Sequence, residues 1–416
     1  MTAIDITVQV PPGTGDTAGA GALLAAEIER QAGRAATPGA EDIGPARFAL
    51  FAERHSWLLV EGGAPLHINL DRGMLAAADR FAPFCDLRLF GASQTVLTLV
   101  RQLDGIVPLR ISALTPVQRG ERLIAALPGY AKAEQVALSR DMDAVQGFRE
   151  IACNCIHHYR LNEDLLHCGY SEEALHQARV AIRRLRSAFS IFRPMLGAEA
   201  AGALGDELRW LAQELAEARD LDVLVGRLRA GSLRGRLLPM RDRAHERVLA
   251  TLRDSRSRLL MVDLAAWLQD GDWLQDRDHA DARASRLPEL ASGALDRYLH
   301  KMRKFGRDLA KLEDSDRHEL RKMAKKLRYA ADFFAPICTR KAMAKPQRQF
   351  LASLASFQDL MGVLNDRATA PILLEKLGVL DDPEAAFLLQ DKDKRSELKA
   401  AVRAHQELLS ARPFWR

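Results

Sequence analysis

The sequence has no run of about 18 apolar residues, so no segment is long enough to cross a bilayer as a helix. Its first residues, MTAIDITVQVPPG, have neither the basic start nor the apolar core of a secretory signal, and a cytoplasmic chain is expected. Cysteine is scarce. Cys85, Cys153, Cys155, Cys168 and Cys338 make no paired CxxC motif and no short-domain framework, which leaves free thiols in a reducing compartment as the reading. Aromatic residues make up 6% of the chain, too few to line a groove with stacking platforms for bases.

Positive charge is present, and it is unevenly spread. The net charge is +5 over 416 residues. Residues 1–145 carry 13 Lys and Arg against 16 Asp and Glu, whereas 146–416 carry 47 against 39. The excess therefore belongs to the C-terminal two-thirds and points to an anionic partner there.

The texture changes at the same place. Ala3 to Val10 alternates, with Ile4, Ile6, Val8 and Val10 on one face and Asp5, Thr7 and Gln9 on the other, which is a strand pattern. A Pro/Gly-rich turn at 11–15, a helix over 20–34 and a loop at 37–45 follow. Strand-like runs then occupy 47–52, 56–61, 66–71 and 85–90, with a turn at Gly62-Gly63 and a helix over 93–104. Residues 1–135 read as a small α+β domain. From about residue 143 to 410 the patterns are long, helical and rich in Ala, Leu, Arg and Glu, so the fold class is mainly α, with helical bundles as the architecture.

An internal repeat runs through the helical part. The stretch His176-Gln-Ala-Arg-Val-Ala-Ile-Arg-Arg-Leu-Arg186 aligns with His318-Glu-Leu-Arg-Lys-Met-Ala-Lys-Lys-Leu-Arg328. Counting from each His, both have a base at +3, +7, +8 and +10, Leu at +9, Phe at +16 (Phe192, Phe334) and Pro at +18 (Pro194, Pro336). Asp222 and Asp366 follow at +46 and +48. Two similar helical units, about 146–235 and 295–380, are expected, joined by a helical connection over 236–290.

A helix advances about 100° per residue. His176, Arg179, Arg183 and Arg186 then share an arc of about 80°, as do His318, Arg321, Lys325 and Arg328. Ala178, Ala181, Ile182, Leu185, Phe189 and Phe192 of the first copy, and Leu320, Met323, Ala324, Leu327 and Phe334 of the second, fall in a separate apolar sector. Each helix has one face for a core and an adjoining face of cations. Like charges on one face weaken a helix by a few tenths of a kcal/mol per pair, so an arrangement repeated twice asks for a ligand whose own negative charges recur along a line. Arg suits phosphate oxygens bidentately and Lys acts as a point charge. The alternative is a solvated helix whose cations pair with acids such as Glu214, Glu217 or Asp220. Arg184, Lys322 and Lys326 extend the candidate site, and the helix over 297–309 adds Arg303, Lys304 and Arg307. Metal ligation by the histidines is not expected, because +4 is Val180 in one copy and Lys322 in the other. The acids of Arg219-Asp220-Leu221-Asp222 and Leu364-Asn365-Asp366-Arg367 are read as groups that position a stripe arginine.

The HxxRVxxRRLR stretch at 176–186 and the HxLRKxxKKLRY stretch at 318–329, with the two later Asp-bearing segments, resemble the signatures of the CHAD domain, the conserved histidine α-helical domain. The resemblance covers about 146–410. It implies two pseudo-symmetric helical bundles around a basic cavity, inorganic polyphosphate as ligand, and association with polyphosphate granules.

The N-terminal region, with Leu70-Asp71-Arg72-Gly73 and Gln118-Arg119-Gly120, resembles part of a CYTH domain, the triphosphate tunnel metalloenzyme fold. That resemblance implies rows of Glu that hold divalent metal. Here the equivalent positions are Asp5, Thr7 and Gln9 on the first strand, Asp86 and Arg88 on a later one, and Thr115-Pro116 in place of a Ser-Lys. Mg²⁺ or Mn²⁺ needs several oxygen ligands on rigid positions, so a degenerate, metal-free CYTH-like domain is expected. The reading is thus a non-enzymatic polyphosphate binder without cofactor. It leaves self-association into a homo-oligomer open and takes nucleic-acid binding and residual triphosphatase or polyphosphatase activity as alternatives.

Overall fold

A computed structural model describes residues 3–11, 17–32, 48–61, 64–77, 79–125, 129–197, 201–338, 341–387, 389 and 394–416. The expected loop at 37–45, the turn at Gly62-Gly63 and most of the turn at 11–15 lie outside the described residues. The chain is mainly helical, with a smaller antiparallel sheet at its N-terminal end.

That sheet contains β1 (Ala3–Gln9), β2 (Ala49–Glu61), β3 (Ala64–Ala77), β4 (Arg80–Ala92) and β5 (Arg110–Ile111), in the order β2-β3-β4-β1-β5. The expected runs at 47–52 and 56–61 are one continuous 13-residue strand, β2. Exposed Glu53 and Arg54 interrupt the apolar alternation there, yet both pair across to β3, Glu53 opposite Arg72 and Arg54 opposite Asp71. Period 2 puts Ile4, Ile6, Val8, Leu66, Ile68, Leu70, Leu87 and Leu89 on one buried face. Helices α1 (Thr17–Ala32) and α2 (Ser93–Asp104) cover it with Leu24, Ile28, Val96, Leu99 and Val100. A short α3 (Pro116–Ile124), absent from the sequence expectation, starts from a capping box at Thr115 and Gln118.

The helical part begins with the hairpin of α4 (Ala144–Cys168) and α5 (Glu172–Ile191) and continues through α6 (Arg193–Leu196), α7 (Gly202–Glu214) and α8 (Ala216–Arg227). Next come α9 (Ser232–Arg253), α10 (Ser255–Asp270) and α11 (Ala280–Ala284). The second hairpin, α12 (Leu287–Phe305) and α13 (Asp314–Cys338), is followed by α14 (Ala344–Lys376) and α15 (Lys394–Ser410). The two repeat units share one hydrophobic core, which runs from Val136 to Trp415. Every residue of the first apolar sector is buried, and in the second all but half-buried Met323 are. At about 1.5–3 kcal/mol per fully buried large apolar side chain, this sector is what holds each stripe-bearing helix in place.

The sheet and the helices are joined rather than strung together. Val262 and Ala266 of α10 belong to the sheet's own core. Beside them, buried Arg258 grips Asp104 of α2 through Nε at 3.0 Å and Nη2 at 2.7 Å. Ser255 Oγ also donates to Asp104 at 2.7 Å. Buried Arg160 of α4 pairs with Glu163 and with Asp164, the latter at 2.8 Å, and donates to the Ile111 carbonyl of β5 at 2.9 Å.

Candidate anion-binding cleft

Both stripe helices start with local signals that fix where they begin. Ser171 caps α5 by accepting from Ala174 N at 3.2 Å, with Glu172 and Glu173 in the first turn. Asp314 and Asp316 stand in the first turn of α13. Negative charge there favours the positive end of the helix dipole.

Helix α5 packs directly on α13. As a result, stripe residues of the two copies meet. Lys325 feels Arg321 of its own helix, Arg183 and Arg179 of α5, and Asp366 of α14. Arg321 is in turn close to Asp366 and Arg183, and His176 and Arg179 face Arg219 of α8. His176, Arg179, Arg183, Arg321 and Lys325 are all half-buried. Burial, followed by the neighbouring arginines, pushes the Lys325 ammonium down to about 7. The same causes push Arg179 down to about 10 and His176 to about 4. A cation whose charge is disfavoured by its surroundings gains when an anion enters.

The protein leaves these cations largely unneutralised. Among the described residues no carboxylate lies within ion-pair distance of Arg179, Arg183, Arg186, Arg321 or Lys325. Arg179 donates only a long bond to the Ala212 carbonyl, at 3.4 Å. The Arg183 Nε is buried without a hydrogen-bond partner among the described residues. Of the acids in the alternative reading, Asp220 of α8 lies near Arg179 without forming an ion pair among the described residues, while Glu214 lies toward Arg256 and Glu217 is engaged by another helix. Glu217 pairs with Arg247 of α9 at 3.1 Å, and Asp366 with Arg227 of α8 at 2.6 Å.

Other sequence candidates are placed differently. Arg184 is 6% exposed, with its guanidinium 5.1 Å over the Phe333 ring. It is a packing residue between α5 and α13, held there by its stacking on that ring. Arg328 is engaged by Asp332 at 3.2 Å and Lys322 by Glu319 at 2.5 Å. His318 is exposed and shares a 2.7 Å hydrogen bond through Nδ1 with Asn365 Oδ1. Lys326 lies nearest to Lys301 of α12 among the charged groups, with Lys322, Glu319 and Arg186 nearby. Arg303, Lys304 and Arg307 are exposed, and no interaction joins them to either stripe among the described residues.

The paired acids also part ways. Asp366 edges the cleft, whereas Asp222 is 2% exposed and locked by Tyr170 OH and His245 Nε2, each at 2.8 Å. Arg219 and Lys301 join the basic surface although neither was singled out as a site residue. In the sequence they show only as part of Arg219-Asp220-Leu221-Asp222 and of the basic helix over 297–309.

On the sheet, the polar face is tied up in ion pairs. Arg88 pairs with Asp5 at 2.5 Å, Arg54 with Asp71 at 2.6 Å, and Arg119 with Asp86. Burial raises the Asp86 carboxyl to about 6 despite Arg119.

Residues 150–375 match the sequence model of the CHAD domain. The structure is similar to the crystal structure of the CHAD domain from the plant Ricinus communis, with 26% sequence identity and a TM-score of 0.57 over 67% of this chain and 96% of that one. A second solved structure, PptA from Streptomyces chartreusis, is matched at 18% identity and a TM-score of 0.45, covering 64% of this chain and 99% of that one. No helix among the described residues is long and apolar enough to cross a membrane.

Proposed function

The chain belongs to the CHAD domain family, and on that premise we propose that it binds inorganic polyphosphate between α5 and α13 without catalysing a reaction on it. The observation that carries this reading is the meeting of Arg183 with Arg321 and Lys325, cations from both repeat copies, with Asp366 nearby but no carboxylate within ion-pair distance of them among the described residues. Polyphosphate is a flexible line of charged phosphoryl groups and can engage both helices at once. Each phosphoryl group that enters relieves repulsion among half-buried cations, and its released counterions add a favourable, salt-sensitive term. Polyphosphate granules in the cytoplasm are the setting in which such a binder would act. Aromatic side chains of the repeat, Phe189, Phe192 and Phe334, lie in the core, which favours polyphosphate over bases as the ligand.

Calorimetric titration with defined-length polyphosphate, tripolyphosphate and duplex DNA tests the reading. Long polyphosphate should bind tightest at equal phosphate concentration. Displacement of polyphosphate by DNA under those conditions would assign the cleft to nucleic acid instead.

The N-terminal sheet is, in this reading, a CYTH-like unit that has lost its metal. Asp5, Asp71 and Asp86 support this, since arginines already hold the carboxylates that a divalent cation would need. Incubation with tripolyphosphate and Mn²⁺ should release no phosphate, and sustained release would restore a catalytic role to the sheet.

A further inference from the structure

The basic sector of α5 does not stop at Arg186. Ser190, four residues on, continues the same side of α5, and Arg193, the first residue of α6, lines the same cavity as Ser190. On α12, Arg297 and Lys301 are one turn apart and share a face. These two lines converge. Ser190, Arg193, Pro194, Gly197, His279 and Arg297 line an open cavity of about 390 Å³. The Ser190 and Tyr298 hydroxyls share a 3.3 Å hydrogen bond that holds α5 to α12 beside it.

Three features make this cavity suited to phosphate. Arg193 and Arg297 are exposed, and no carboxylate pairs with either among the described residues. The nearby acid, Asp276, is already engaged by His279 Nδ1 at 2.8 Å and by Asp278 N at 2.9 Å. Gly197, at φ +73°, forms part of the wall, where a side chain would be strained. Lys326 of α13 lies close both to Arg186 of α5 and to Lys301 of α12, with Glu319 as the acid nearby. Cations therefore follow one another from Arg183 to Arg297, and His176 to Ser190 alone spans roughly 21 Å along α5.

We propose that this cavity is a second phosphoryl-binding subsite, which holds phosphate groups of the same polyphosphate chain that runs through the cleft. The inference rests on the cleft reading and adds to it a source of chain-length preference. A short chain fills the cleft alone. A longer one reaches Arg193 and Arg297, where its second contact is intramolecular and gains from effective concentration.

The test uses the full chain and an Arg193→Gln/Arg297→Gln variant, each titrated with tripolyphosphate, a long defined-length polyphosphate and inorganic phosphate. The variant should keep the wild-type affinity for tripolyphosphate and lose at least about tenfold in affinity for the long chain. Unchanged long-chain affinity would overturn the subsite, also if inorganic phosphate proves to bind there by itself. An equal loss for both lengths at unaltered helix content would overturn it too, because the arginines would then not form a separate contact. Failure of the wild type to bind either polyphosphate removes the cleft reading, and the subsite with it.

Discussion

Phe192 and Phe334 stand at the same position of the two repeat copies, and their rings meet with centroids 6.0 Å apart, tilted by 57°. Both are fully buried. This contact is where one copy of the repeat recognises the other. Each Phe shares a helix or its C-cap with a cation stripe, so fixing the two rings fixes the direction in which the stripes face.

Phe334→Ala should therefore destabilise the fold by about 3–5 kcal/mol, read by denaturant unfolding. A double-mutant cycle with Phe192→Ala should show coupling of about 0.5–1.5 kcal/mol. Strict additivity would mean that the two rings do not set the packing of the copies.

Reversing one charge in each stripe, Arg183→Glu with Lys325→Glu, should weaken polyphosphate binding by roughly 100-fold or more. Circular dichroism should stay that of the native helices, because both positions lie on the cleft side and not in the core. Native affinity in this variant would take the site away from the cleft.

Binding should be linked to protons through Lys325. In the free protein this group sits near pKa 7, below an ordinary lysine at 10.5, through burial and the facing Arg321, Arg183 and Arg179, with Asp366 as the opposing acid. Between those values the unfolded chain holds a proton that the folded chain has released, so this group favours folding more as pH rises across the window. A bound polyanion restores the charge. Affinity should then fall as pH rises from about 7 toward 10, with proton uptake visible as a buffer-dependent binding enthalpy. Lys325→Arg keeps its charge across this range and should abolish the uptake. Equal uptake in that variant would place the titrating group elsewhere.

At the junction of sheet and helices, Asp104→Ala should lower stability by about 3–5 kcal/mol, because it leaves Arg258 buried and unpaired. The thermal transition should report it. A change within about 0.5 kcal/mol, typical of surface sites, would show that the junction is solvated.

Much of this was legible in the sequence, for a physical reason. Helical periodicity separates core from charge within one helix, so Ala178, Ile182 and Leu185 and their counterparts Leu320, Ala324 and Leu327 could be assigned to the core from spacing alone. Helix α2 begins and ends where its pattern does. The repeat motif misled where identical positions meet different neighbours. Arg184 and Lys326 are both at +8, yet one is buried over Phe333 and the other lies near Lys301. Asp222 and Asp366 likewise correspond in sequence and differ in burial, since Tyr170 and His245 close over only the first. Arg219 and Asp366 reach the cleft from α8 and α14, and only tertiary packing brings those helices to it. The continuity of β2 was hidden because its exposed middle carries Glu53 and Arg54, whose partners lie on another strand.

A structure of the protein with a bound polyphosphate of defined length tests the central claim most directly. The account predicts phosphoryl groups between α5 and α13, with oxygens on Arg179, Arg183, Arg321 and Lys325. A chain lying on Arg303, Lys304 and Arg307, with the cleft left empty, would contradict it.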